Sequence, residues 1–161
     1  MSPKPQIVQA NLGFLNFSPI GFHKYASEYL TAARSISPQS SFSPVPFFLY
    51  CHSIELVLKA FLLVKGVSKQ ELKENPLGHN LETLLQRAEK QGLGSLVHIS
   101  PGQQSELVRA NNYYKSKQFE YFDLPMIMEA TTGYKKLPDL TLLDQLADTL
   151  ITGLRSYCLT A

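Results

Sequence analysis

Only two cysteines occur in the 161 residues, Cys51 and Cys158. They stand far apart in apolar surroundings, with no Cys-x-x-Cys pair and no Cys/His ligand spacing, so neither a disulfide scaffold nor a metal site is expected. Charge is nearly balanced: fifteen Lys and Arg face thirteen Asp and Glu, a net of +2. That excess provides no global field toward phosphates, and a nucleic-acid partner would have to meet a local patch. Signatures of phosphate loops, dinucleotide folds, zinc deaminases and serine hydrolases are missing, which weighs against those enzyme classes. The first eight residues hold Pro3 and Pro5 in place of the continuous apolar stretch of a secretory signal. With buried thiols in a reducing compartment, this predicts a cytoplasmic protein without a cofactor.

What is present is the composition of a globular domain, 44% hydrophobic and 17% charged. A chain of this length buries roughly two-thirds of its unfolded surface on folding. The longest apolar run, residues 45–64, approaches the length of a membrane span, but His52, Glu55 and Lys59 interrupt its centre, where charge is costly in lipid. It is expected to be the core helix of a bundle, with no membrane partner.

Punctuation marks out the other elements. Residues 1–16, broken by Pro, Gly and Asn, are expected to form an arm, and residues 17–161 a single domain. Ser18-Pro19 opens a helix whose apolar positions Phe22, Tyr25, Ala26, Tyr29, Leu30 and Ala33 recur every three or four residues, to about Ser35. Three prolines and several serines make residues 37–46 a loop. A second helix runs to Val64 and stops at Gly66. Ser68 with Glu71 matches a capping box and predicts a short extra helix ending before Pro76. Asn80 caps a third helix through Leu81, Leu84, Leu85 and Ala88, and Ser100-Pro101 opens a fourth through Leu107, Asn111 and Tyr114. Residues 119–137 lack periodicity and are expected to be irregular. A last helix from Pro138 or Asp139 carries Leu140, Leu143, Leu146, Ala147, Leu150, Ile151 and Leu154. The expected fold is all-α, an antiparallel up-and-down bundle of four to five helices.

Spaced by three and four residues, His52, Glu55 and Lys59 line one face of the most apolar helix. Burying an unpaired charge is expensive, so Glu55 and Lys59 are expected to pair or to face a wet groove. Two readings stand side by side: a structural ion pair, or a ligand groove in which Lys59 meets phosphate. His79, just before the cap of the third helix, is placed to hydrogen-bond Glu55, as an orienting group or as an acid/base. Further on, Tyr113, Tyr114, Lys115, Lys117, Phe119 and Tyr121 interleave bases with aromatics. Such a stretch either stacks nucleobases or is a helix end whose aromatics close the core while its lysines stay wet.

The run His52-Ser53-Ile54-Glu55-Leu56-Val57-Leu58-Lys59-Ala60-Phe61-Leu62-Leu63, then Gly66, then Gly78-His79-Asn80-Leu81 with Leu84, Leu85 and Ala88, resembles the HEPN superfamily (higher eukaryote and prokaryote nucleotide-binding). The likeness covers about residues 20–122 and is most specific over 45–90. It implies a helical bundle that commonly dimerises, in a superfamily of ribonucleases, toxins, anti-phage components and nucleotide-associated proteins. Active members cut RNA without metal, using an arginine and a histidine four to six residues downstream. Arg109 matches the arginine, with Asn112 and Tyr113 on the same side, but the positions beyond it are Tyr113, Tyr114 and Lys115, and no histidine follows.

The expectation is therefore a noncatalytic HEPN-like module, a homodimer binding a nucleotide, RNA or a partner protein such as a nucleotidyltransferase or antitoxin. Its groove would be lined by Lys59, Glu55, His52, His79, Arg109, Asn112, Tyr113 and Lys115. The alternative is a metal-independent endoribonuclease of toxin or anti-phage type with a different acid and base, its catalytic candidates Arg109, His79 and Tyr113. A third possibility is a structural bundle acting in protein assembly.

Overall fold

The computed structural model describes residues 17–37, 42–121 and 137–160. Among them are five α-helices and no strand, an all-α bundle. The expected arm at residues 1–16, most of the expected irregular segment and the Tyr134-Lys135-Lys136 turn lie outside the described residues.

Helix starts follow their capping chemistry. α1 spans Pro19–Ser35, with the Ser18 hydroxyl accepting from the Gly21 amide at 3.2 Å and Pro19 at the first helical position, where its missing N–H costs nothing. α2 spans Val45–Val64 and is closed by Gly66 at φ 85°. α3, Leu81–Lys90, is capped by Asn80, whose side chain accepts from the Thr83 amide. After Gly92, a single 3-10 turn at Leu93–Ser95 leads to α4, Pro101–Tyr114, which opens with a reciprocal box between Ser100 and Gln103. α5, Leu140–Leu159, starts from the Asp139 carboxylate, which accepts from the Thr141 and Leu142 amides.

The extra helix expected after Ser68 does not form. Residues 69–79 are turns. Half of the predicted box is present, since the Ser68 hydroxyl accepts from the Glu71 amide at 3.1 Å. The Glu71 carboxylate, however, reaches out to Arg87 at 3.1 Å instead of back to the cap. Without that reciprocal bond, and with Pro76 ahead, no second turn propagates.

α2 is the axis of the bundle and touches each of the other four helices. It is long and apolar enough to cross a membrane, yet most of its length is buried among its neighbours. α1 lies antiparallel to α2: the Ser53 hydroxyl donates to the Ala26 carbonyl at 2.8 Å, and Tyr29 sits edge-on to His52. It also lies antiparallel to α5, where His23 meets the Ile151 carbonyl and Arg34 forks onto Asp144. α5 consequently runs in the same direction as α2, with Tyr50 bonded to Asp144 near one end and Phe61 against Tyr157 near the other. Ile54, Leu58, Phe61 and Leu62 of α2 meet Leu143, Leu146, Leu150 and Leu154 of α5 in one fully buried core, which also takes in Leu81, Leu84 and Leu107. Cys51 and Cys158 are buried free thiols.

Candidate functional site

Glu55 lies in the middle of the axial helix with 2% of its surface exposed. Desolvating a carboxylate this far is costly unless every lone pair is used. Here they are. Oε1 accepts from Lys59 Nζ at 2.6 Å, one helical turn on. Oε2 accepts from the Tyr114 hydroxyl of α4 at 2.5 Å and from His79 Nδ1 at 3.0 Å. Burial pushes the Glu55 carboxyl up, but the His79, Lys59 and Tyr114 donors together pull it further down, to about 2. It is ionised throughout the neutral range.

A second histidine joins through the tyrosine. His52 Nδ1 lies 2.8 Å from the Tyr114 oxygen and 3.9 Å from Glu55 Oε2. Because Tyr114 gives its own proton to Glu55, its oxygen accepts from His52, and a neutral His52 therefore carries its proton on Nδ1. The chain runs His52 to Tyr114 to Glu55, with His79 donating to the same carboxylate from the other side. Phe48 stacks on the His52 ring, and Tyr29 of α1 closes its edge. Neither histidine uses Nε2 in a hydrogen bond among the described residues, so each ring is anchored by one nitrogen and leaves the other available.

The two rings have opposite proton demands. The hydrogen bond to Glu55 holds His79 above the ordinary histidine range, against a weaker effect of burial. His52 is pushed below it by burial, which outweighs the attraction of Glu55. Burial and the adjacent Glu55 charge drive the Tyr114 phenol upward, so it remains a donor.

His79 is placed by the start of α3. Asn111 of α4, itself fully buried, accepts from the Leu81 amide at 2.8 Å and donates to the Asn80 side chain at 3.0 Å, pinning the residues that follow His79. Gly78 brings the backbone against the preceding turn, not against a neighbouring helix: a Cβ there would lie 3.4 Å from the Lys73 carbonyl oxygen. On the other side α4 ends in a Schellman closure, with Gln118 N donating to the Tyr113 carbonyl at 2.9 Å and Lys117 N to the Tyr114 carbonyl at 3.0 Å. The residue at the left-handed position of this motif is Lys117, φ 60°, where glycine is usual. Its ammonium is near enough to act on the charge of His79, and the exposed Glu120 acts on His52.

No family model, curated protein or solved structure matches this chain.

Of the residues the sequence singled out, the structure gathers His52, Glu55, Lys59 and His79 into one network. Arg109 is elsewhere: it is 3.6 Å from Glu106, whose other oxygen accepts from the Asp139 amide ahead of α5. Tyr113 is buried with its ring stacked on Phe119, which stacks on Phe47, so it belongs to the core aromatics. Asn112 and Lys115 are exposed on α4 and its end. The groove expected to join Lys59 and His79 to Arg109 and Tyr113 is thus two separate environments. Tyr114, which closes the Glu55 network, was missed. It sits among Leu107, Ala110 and Asn111 at helical spacing and carries no mark in the sequence that separates it from the other aromatics.

Proposed function

We propose that this chain is a HEPN-like helical module, working as a homodimer, that binds a phosphate-bearing ligand, an RNA or a nucleotide, at the open edge of the Glu55 network without turning it over. One observation carries the reading: two histidines from different elements are each fixed inward through Nδ1 and keep Nε2 free on the same edge. Glu55 and Lys59 cancel inside the core. Outside, His79, 55% exposed in its side chain, and Lys117 leave an edge that is cationic whenever His79 is charged. Histidinium and ammonium donors are suited to phosphate oxygens, and charge-assisted bonds of this kind are about twice as strong as neutral ones. The absence of a histidine downstream of Arg109, and the engagement of Arg109 with Glu106, favour binding over the cleavage used by active HEPN proteins. A nucleotidyltransferase or antitoxin-like protein is a further partner consistent with that family.

The test is fluorescence anisotropy with labelled single-stranded and structured RNA and with nucleotides, beside His79→Gln and Arg109→Ala, with light scattering fixing the oligomer. Saturable binding weakened by His79→Gln and left intact by Arg109→Ala is expected. No binding, or binding lost only with Arg109, would refute the site.

A second reading has its own observation, the opposed proton demands of His52 and His79. Metal-free phosphodiester cleavage requires a base and an acid at one phosphate. His52 Nε2 would take the proton of a ribose 2′-hydroxyl as that oxygen bonds to phosphorus. His79 would give its proton to the departing 5′-oxygen, leaving a 2′,3′-cyclic phosphate. Incubating the same RNAs with the protein in EDTA decides this: cleavage abolished by His52→Gln would replace the binding reading with an endoribonuclease.

A further inference from the structure

Three features of the network's edge are not explained by holding the fold together. Lys117 occupies the left-handed position that closes α4, among the described residues the one non-glycine with positive φ. Glycine at that position would make the same two Schellman hydrogen bonds without steric cost, so the helix end does not require a lysine. Lysine there does place a cation beside His79. Secondly, the His52 ring is sandwiched by Phe48 and Tyr29 and bonded to Tyr114, so its orientation is set before any ligand arrives. Thirdly, its Nε2 is a lone pair in that state, because the Tyr114 bond holds the proton on Nδ1. A lone pair does not bind an anion. It becomes a donor only by taking up a proton.

We propose that His79, Lys117 and His52 form a site for a terminal phosphate group, and that the bound phosphate draws a proton onto His52 Nε2. This rests on the preceding reading of the edge as a phosphate-binding surface and specifies its ligand as a monoester end, not an internal diester. A monoester presents close to two negative charges and three terminal oxygens, matching three donors from three segments. An internal diester offers one charge and two such oxygens.

The charges that His52 feels are Glu55 and Lys59 of its own helix, His79 before α3, and Glu120 beyond α4. Its neutral neighbours are the Tyr29 and Phe48 rings and the Tyr114 hydroxyl. In the free protein burial dominates, and His52 is neutral. A dianion at Nε2 supplies the counter-charge that burial withholds, so occupancy and protonation rise together.

The experiment follows His52 ring signals by NMR across pH, free and with a short 5′-phosphorylated RNA or its 5′-hydroxyl counterpart, together with affinities for both RNAs. Expected is a His52 titration midpoint raised by about one pH unit or more with the phosphorylated RNA alone, the scale of a close opposite charge. Affinity for that RNA should exceed that for the hydroxyl form by about tenfold, as for one strong ionic hydrogen bond. Lys117→Gly, which the backbone accepts, should erase most of that preference. Competition separates the sources: displacement by inorganic phosphate means the phosphate group suffices, whereas displacement only by a nucleoside monophosphate means that a nucleotide end is read. Equal affinity for the two RNAs with an unmoved His52 midpoint would overturn the proposal while leaving the binding edge standing. Failure of either RNA, phosphate and the monophosphate to bind would remove both.

Discussion

Replacing Glu55 by glutamine should be among the most destabilising single changes in the chain, although it alters one atom. The carboxylate accepts from Lys59, Tyr114 and His79 while 2% exposed, and Lys59 is only 7% exposed. An amide keeps one acceptor oxygen and turns the other into a donor. If the oxygen stays toward Lys59, the new NH2 faces the Tyr114 hydroxyl and His79 Nδ1, three donors in contact. If it flips, Lys59 has no acceptor. In both cases the negative charge that compensates Lys59 is gone. Breaking a buried pair from one side typically costs about 3–5 kcal/mol. With a urea slope of about 2 kcal/mol/M, usual for a domain of this size, the unfolding midpoint should fall by about 2 M at unchanged slope. Exchanging all three interior partners together, Glu55→Leu with Lys59→Met and Tyr114→Phe, should be much milder than the glutamine alone, because no orphan charge remains. A midpoint drop below about 0.5 M for the glutamine, or a triple variant worse than the single one, would show that the carboxylate is solvated and the network energetically idle.

Acid unfolding should report the same group. A carboxyl held at about 2 contributes stability that is complete above its ordinary value near 4.5 and is lost as pH falls through 2. That loss amounts to about 3 kcal/mol, and melting curves over this window should be steep in the wild type and flatter in Glu55→Gln. His79 acts in the opposite direction, its contribution complete below the ordinary histidine range and lost as pH rises past its elevated value, so His79→Gln should flatten the stability profile above neutrality. Asn111→Leu orphans the buried Leu81 amide and should cost about 1–3 kcal/mol by urea denaturation. It should also loosen the start of α3, seen as faster amide exchange at residues 81–84. Lys117→Gly should stabilise the fold by about 1 kcal/mol through relief of the left-handed backbone, while weakening phosphate binding.

The helix starts were readable because capping is local chemistry. Ser18, Asn80, Ser100 and Asp139 each bond amides two or three residues on, and no tertiary information is needed. The extra helix after Ser68 misled for the complementary reason: its box depended on the Glu71 side chain, which a residue sixteen positions away captures. Within the site, the Glu55–Lys59 pair followed from helical spacing and a low-dielectric helix, and the His79 bond from its place beside a cap. Tyr114 and Asn111 were illegible because each enters through packing of α4 on α2 and α3, which no spacing on α4 encodes. Arg109 was chosen for its match to a family pattern. Glu106, three residues before it, was the local signal that it had another partner. Lys117 could not be read at all, since sequence rules place glycine where it sits.

Why an apolar helix keeps five polar groups is a question stability alone does not answer. A buried ion pair rarely outperforms leucine and methionine of equal volume, so neither Glu55 nor Lys59 need be there to hold the bundle together. Their geometry is better understood as a mount. Lys59 neutralises the carboxylate from inside, Tyr114 and His79 take its second oxygen, and His52 is fixed through Tyr114, so that two imidazoles from different segments are oriented by one buried charge. Removing the mount would leave His79 free to rotate on a turn and His52 held only by stacking. A residue retained in a strained backbone beside this assembly, at a position where glycine would serve the fold as well, points the same way: Lys117 contributes charge to the edge, not stability to the helix. Interior polarity that orients exterior donors is the arrangement expected of a binding site built on helices instead of loops, where the rigidity of the core sets the precision of the contacts.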